Sequence, residues 1–190
     1  MATSKNFNAS DFGRRFLGGF GDYLIDRNLL AENIKAYIIN RTLAGLDFRD
    51  DTFKEYSDSY KAVRRSAGKQ TSPPNLNFTG ELLRSLKIVE SSDGDIKVAS
   101  KDSRGNVVNT YRFKAVFDDN VRTDKNGYPV ISPTWGMVTN EVLAKFLIGG
   151  TKLDGKKRMP ARNFLAITPK DLDHIVMKTK DMEKIPQKTI

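Results

Sequence analysis

The stretch DYLIDRNLLAENIKAYIINRTLAG, from Asp22 to Gly45, constrains the fold more than any other part of the chain. A carboxylate such as Asp22 caps a helix N-terminus, and glycine is the favoured residue just past a helix end. Leu30, Ile34, Tyr37 and Ile38 fall on one stripe at helical spacing, and Ile25, Leu29, Ala36, Ile39 and Leu43 form a second stripe beside it. So wide an apolar arc exceeds what one packing face needs. The stretch is therefore expected to be the main core helix, with part of its arc available to a partner.

Residues beyond Gly45 supply a sheet and further helices for that helix to pack against. Residues 47–56 read as irregular or extended, and Ser57 opens a short basic helix over 58–67 that stops at Gly68. Thr71-Ser-Pro-Pro-Asn75 is a loop, because proline restricts its own φ and the residue before it. Thr79-Gly80 reads as a cap and turn before Glu81-Leu-Leu-Arg-Ser-Leu86, which passes into a strand over 87–90. Ser92-Asp-Gly-Asp95 is a tight turn leading to a second strand, IKVAS. In VVNTYRFKAVF, Val108, Thr110, Arg112 and Lys114 alternate with Asn109, Tyr111, Phe113 and Ala115, as in a half-buried strand. Asn126-Gly127 marks another turn, and residues 128–135 are extended, with Pro129 and Pro133 keeping them at an edge or outside a ladder. Trp135, the single tryptophan, reads as a core plug. A helix over 140–148 stops at Gly149-Gly150. Beyond a basic loop, MPARNFLAI is expected to add a strand that anchors Phe164 and Leu165. Thr168-Pro-Lys-Asp171 then opens a final helix whose Leu172, Ile175 and Val176 face the core.

The sum is an α+β domain over 22–179, a small antiparallel sheet flanked by a long N-terminal helix, a second helix and a closing C-terminal helix. Residues 1–21 read as an extended arm, with Phe7, Phe12, Phe16 and Phe20 set among glycines and arginines, suited to ordering on a neighbouring subunit. Residues 180–190 read as a mobile polar tail.

At 190 residues the chain suits one domain, with 38% hydrophobic and 29% charged residues leaving room for arms around a moderate core. The lack of cysteine excludes disulfides, thiolate metal sites and a cysteine nucleophile. His174 is the one histidine, on what reads as an exposed helix turn, so a serine triad or a histidine-rich metal site has little to rest on. Acid pairs such as Asp50-Asp51, Asp118-Asp119 and Asp171/Asp173 are ordinary in turns and caps, and neither catalysis nor a cofactor or metal is expected. No run approaches the roughly 20 apolar residues of a membrane span. Residues 1–15 lack the apolar stretch of a signal peptide, so the chain is expected to act where it is made. The net charge of +9 points to an acidic partner or polyanion. Two clusters carry it: Lys61, Arg64, Arg65 and Lys69, and the loop holding Lys152, Lys156, Lys157, Arg158 and Arg162. A solvated loop is the simpler reading of each, contact with nucleic acid or an acidic protein face the sharper one. No aromatics alternate with these charges as a single-strand stacking platform requires.

Three separated motifs occur in order: Tyr-Ser-x-Ser-Tyr-Lys (56–61), Asn-Leu-x-Phe-Thr-Gly-Glu-Leu-Leu-Arg-Ser-Leu (75–86), and Gly-Gly…Met-Pro-Ala-Arg-Asn-Phe-Leu-Ala-Ile-Thr (149–168). Together they resemble the virion morphogenesis proteins of tailed bacteriophages, a grouping of tail completion, tail terminator and neck proteins, over about Leu24 to Val176. Asn163 and Ala166 stand where that family commonly has proline and glycine, and the basic stretch Lys152 to Arg158 is inserted. The resemblance implies a structural, non-catalytic virion protein that forms a ring, often sixfold, at the head–tail junction. Its partners would be further copies of itself, tail tube and sheath proteins, and head–tail connector or neck proteins, with genomic DNA passing through the lumen and no membrane involved. It would reside in the virion tail or neck, and in the host cytoplasm during assembly. The candidate interface residues are Phe12 and Phe16 in the arm, Arg84, the trio Lys156, Lys157 and Arg158 facing a lumen or an acidic neighbour, and Arg162. For Arg162 two readings stand open, an intersubunit salt bridge or an exposed strand residue. The competing function is a basic nucleic-acid-binding module, whose affinity would fall steeply with salt.

Overall fold

The structure is a computed structural model that describes residues 25–77, 79–101, 104–124, 126, 128–132, 136–153 and 156–183. Helix α1 spans Arg27–Leu43 and is capped by Asp26, whose carboxylate accepts from Asn28 N at 2.8 Å and Leu29 N at 3.1 Å. The cap expected at Asp22, the arm over 1–21 and Trp135 lie outside the described residues. Of the two apolar stripes on α1, one is core: Leu30, Ile34 and Ile38 are fully buried. On the other, Leu29 and Ile39 are half-buried, and Ala36 and Leu43 are exposed.

The sheet has three antiparallel strands, β1 (Lys87–Glu90), β2 (Ile96–Lys101) and β3 (Val107–Val116), in the order β1-β3-β2. The turn after β1 does not fold it back on β2. The chain steps across β3 instead: Phe113 is the register partner of both Glu90 and Ile96. The crossing explains Gly94, because a Cβ there would stand 2.4 Å from Phe113 O. Alternation sets the buried face of the sheet, with Val98, Tyr111 and Phe113 turned inward and Lys97, Arg112 and Lys114 outward.

Helix α1 packs between β1 and the last helix, α5 (Pro169–Glu183). Thr168 and Asp171 cap α5 reciprocally: Asp171 N donates to Thr168 Oγ1 at 3.2 Å and Thr168 Oγ1 donates to Asp171 Oδ2 at 2.6 Å. The helix continues to Glu183, so residues 180–183 are helical rather than the start of a tail; residues 184–190 lie outside the described residues. Helix α2 is Asp58–Ser66, and the short α3 (Glu81–Ser85) packs on α4 (Asn140–Gly149) through the buried Leu82, Leu83, Ala144 and Leu147. Strands β4 (Ile131–Ser132) and β5 (Gly136–Met137) form a separate ribbon.

Two further expectations need correction. The basic loop after Gly150 is a two-stranded hairpin, β6 (Thr151–Leu153) and β7 (Lys156–Met159), with its turn outside the described residues. The segment after it, 160–168, is not a strand. Its backbone groups are satisfied one by one across the fold. Arg162 N donates to Leu147 O at 2.7 Å and Phe48 N to Asn163 O at 3.3 Å. Arg41 Nη2 of α1 donates to Phe164 O at 2.9 Å and to Ala166 O at 2.6 Å. Phe164 is still the anchor expected of it, fully buried and edge-on to Phe117 at 6.2 Å.

Candidate functional site

Helix α2 inverts ordinary amphipathy. Val63 is 52% exposed, whereas Arg64 beside it is 1% exposed. A guanidinium tolerates that depth only when its N–H groups find acceptors. Arg64 Nε donates to Gln70 O, and Nη2 donates to Asn75 Oδ1 and Asn77 O, each at 3.1 Å. Its guanidinium also lies over the Tyr56 ring, 4.8 Å from the centroid. The hydroxyl of Tyr56 accepts from Asn75 N at 3.2 Å and Leu76 N at 3.1 Å, which pins the proline-rich loop to the start of α2. Arg64 is thus a structural residue and leaves the basic cluster of 61–69. Lys61 pairs with Glu55 at 2.8 Å, so that cluster is partly neutralised from outside its own stretch.

A second guanidinium, that of Arg162, stands over the same ring at 5.3 Å. Arg162 is 5% exposed, which overturns the reading of it as an exposed strand residue. Nη2 donates to Lys54 O at 2.9 Å, while Nε is buried without a partner among the described residues. No carboxylate among the described residues lies within ion-pair distance of it. Burial pushes its pKa down, with Tyr56 and Tyr60 acting in the opposite direction. Beside it opens a cavity of about 400 Å³ walled by Tyr60, Leu76, Leu82, Leu143, Leu147 and Pro160. Arg122 reaches the same cavity but is engaged, with Glu81 at 3.0 Å, Asn140 Oδ1 at 2.9 Å and Thr79 Oγ1 at 3.1 Å.

A third feature lies outside the core. The described residues of 121–138 form an outward ribbon held by backbone bonds from Arg122 N to Val138 O, Val130 N to Arg122 O and Val138 N to Val130 O. Tyr128 is 69% exposed, Ile131 68% and Met137 58%. Such a run of large apolar groups left in water is what an interaction surface presents.

Of the candidate interface residues whose side chains are described, Arg162 lines the cavity and Arg84 does not. Arg84 is exposed and donates from Nη2 to Thr79 O at 3.1 Å, bracing the Thr79-Gly80 turn, where Gly80 has φ 81°. Lys156, Lys157 and Arg158 lie on β7, and the ribbon register sets Lys157 opposite Lys152. Phe12 and Phe16 lie outside the described residues. Sequence reasoning missed Tyr56 and Arg122 as site residues, and Tyr128, Ile131 and Met137 as a surface. Tyr56 did stand in the first of the three motifs, but nothing local distinguishes a tyrosine that stacks on two arginines from one that fills a core. Of the acid pairs, Asp118 accepts from Asn140 Nδ2 at 2.7 Å, Asp171 belongs to the cap of α5, and Asp173 pairs with Lys101 at 3.6 Å. Among the described residues no group of three or more His, Asp or Glu is placed to hold a metal ion, and no helix is long and apolar enough to cross a membrane.

Fold and site define an α+β domain with a buried cation beside an apolar cavity and an apolar ribbon turned to solvent. Comparison with protein-family models, curated proteins and solved structures finds no match to the chain.

Proposed function

We propose that the chain is a structural virion protein of a tailed bacteriophage, copies of which close into a ring at the head–tail junction, complete or terminate the tail and join it to the head connector. The observation that carries this reading is the ribbon over 121–138, whose Tyr128, Ile131 and Met137 the fold leaves uncovered. One heterologous interface, repeated by rotation, would cover every ribbon with the next copy and leave none open. A ring is probed by light scattering and negative-stain imaging of the purified chain, and its place by micrographs of particles made without it. Full heads beside overlong or abnormal tails are the outcome for a terminator. Normal-length tails that fail to attach are the outcome for a neck protein. Particles that assemble normally without the chain overturn the reading.

A second reading, nucleic-acid contact, is favoured by one observation: the hairpin β6–β7 sets two lysines at one register position. Positive charge gathered in one short element is favourable beside phosphates. In a ring this hairpin would line the lumen through which DNA passes. Binding of duplex DNA at two salt concentrations separates the readings, because a monomer that binds tightly and loses about 0.9 log units of affinity per log salt for each phosphate contact is a nucleic-acid module.

A further inference from the structure

The cavity beside Arg162 has a chemistry that the described residues leave incomplete. Its walls are mainly apolar, its volume is about 400 Å³, and one edge is a guanidinium 95% removed from water. Glu55 also lines it but pairs with Lys61, and no carboxylate among the described residues stands within ion-pair distance of Arg162. An isolated buried cation is unfavourable unless an anion joins it. Cavities of about 150 Å³ already hold a benzene ring, so this one has room for an aromatic side chain and a neighbouring carboxylate together. Tyr60, 39% exposed on the cavity wall, offers a ring edge for an aromatic guest.

The N-terminal stretch of the chain contains a segment that fits. Outside the described residues, the terminal stretches are 1–24 and 184–190. The second, Lys-Ile-Pro-Gln-Lys-Thr-Ile, has no side-chain carboxylate, and the first has only Asp11 and Asp22. Asp22 stands three residues before Ile25, which is 4% exposed in the core, so its tether is ~10 Å at most. Asp11 stands fourteen residues before Ile25, a reach of up to ~46 Å, and its next residue is Phe12. We propose that Asp11 and Phe12 of one copy dock in the cavity of a neighbouring copy, the Phe12 ring on the leucine walls and the Asp11 carboxylate on the Arg162 guanidinium. This rests on the proposed ring and names the contact through which the arm of one subunit would hold the next.

The test uses full-length chain carrying Asp11→Asn and Phe12→Ser, which leaves the cavity free, and a fluorescent peptide of residues 8–16 followed by anisotropy. Saturable binding is expected, weakened at least tenfold when the peptide carries Asp11→Asn or the receptor carries Arg162→Gln. Because Arg162 also bonds to Lys54 O, a second receptor with Leu143→Trp fills the cavity and keeps the arginine; it should bind no peptide while retaining the parent's circular dichroism. Equal binding by the Leu143→Trp receptor, or no binding by the parent receptor, overturns the site. In the wild-type chain, light scattering should show multimers that the Asp11→Asn/Phe12→Ser chain loses. If that variant still builds rings and enters particles, the docking is wrong and the ring stands. If the peptide binds but the wild-type chain stays monomeric at every concentration, the segment docks within its own chain and the contact between copies is overturned.

Discussion

Tyr56 ties together more of this fold than its place in a polar stretch suggests. Its ring carries two guanidiniums, and its hydroxyl accepts two backbone N–H groups. Tyr56→Phe keeps the ring and removes the acceptor, leaving Asn75 N and Leu76 N unpaired; a loss of about 1–3 kcal/mol is expected in urea unfolding. Tyr56→Leu also removes the cation–ring contacts and should cost about 1–2 kcal/mol more. At the other end of the core, Tyr37 and Asp171 form a titrating pair. Burial, followed by the hydrogen bond to Asp171, raises the Tyr37 hydroxyl to about 12. The fold therefore favours the neutral hydroxyl, and that stability is complete below about pH 10 and lost as pH climbs toward 12. Burial pushes Asp171 upward, but hydrogen bonds from Thr168 and Tyr37, with Arg41 nearby, outweigh it and hold the carboxyl below its usual value. Its contribution is present above the unfolded carboxylate pKa and is lost as pH falls through the lower folded value. Asp171→Asn should thus melt earlier than wild type at neutral pH and lose less on acidification, as thermal melts across acidic pH would show.

Among the elements, the path of 160–168 is set from a distance. Its apolar run suits a strand, yet it pairs with no strand and hangs from the guanidinium of Arg41 on α1. Arg41→Met keeps the bulk of the side chain and strands two carbonyls, which should cost about 3 kcal/mol and open this segment to hydrogen exchange before α1 itself unfolds. The step across β3 is equally demanding. Gly94→Ala puts a methyl against the Phe113 backbone, which no side-chain rotation relieves, and a loss of about 3 kcal/mol is expected by denaturant titration. The hairpin β6–β7 shows why a charge-rich stretch misleads: four cations in eight residues read as a solvated loop, although the two strands pair antiparallel, with a register shift between Thr151 and Lys152.

For the whole molecule, interior and exterior separate cleanly. The core gathers α1, α5, α3, α4 and one face of the three-stranded sheet, and no described residue of 121–138 belongs to it, although Arg122 ties that ribbon to Glu81, Thr79 and Asn140. Replacing Ile131 and Met137 together with serine should leave the melting temperature nearly unchanged, since both side chains are already in water. The same variant should lose self-association in light scattering if the ribbon is the surface that meets the next copy. A variant that multimerises like wild type would move the interface elsewhere.

The helices and the long strand β3 were legible because the signals that set them act within a few residues. Ser57 bonds to Tyr60 N, Thr139 to Val142 N and Thr168 to Asp171 N, and each starts its helix where the sequence places it. The period-two pattern of β3 put Tyr111 and Phe113 on the buried face in the same local way. What tertiary structure alone decided was the fate of the arginines and the order of the strands. Arg162 bonds to Lys54, 108 residues away, and Arg41 to Phe164, 123 away. In a sequence an arginine looks the same whether it faces water or an interior carbonyl; only the folded chain brings the carbonyl there, and with it the buried charge around which the candidate site is built.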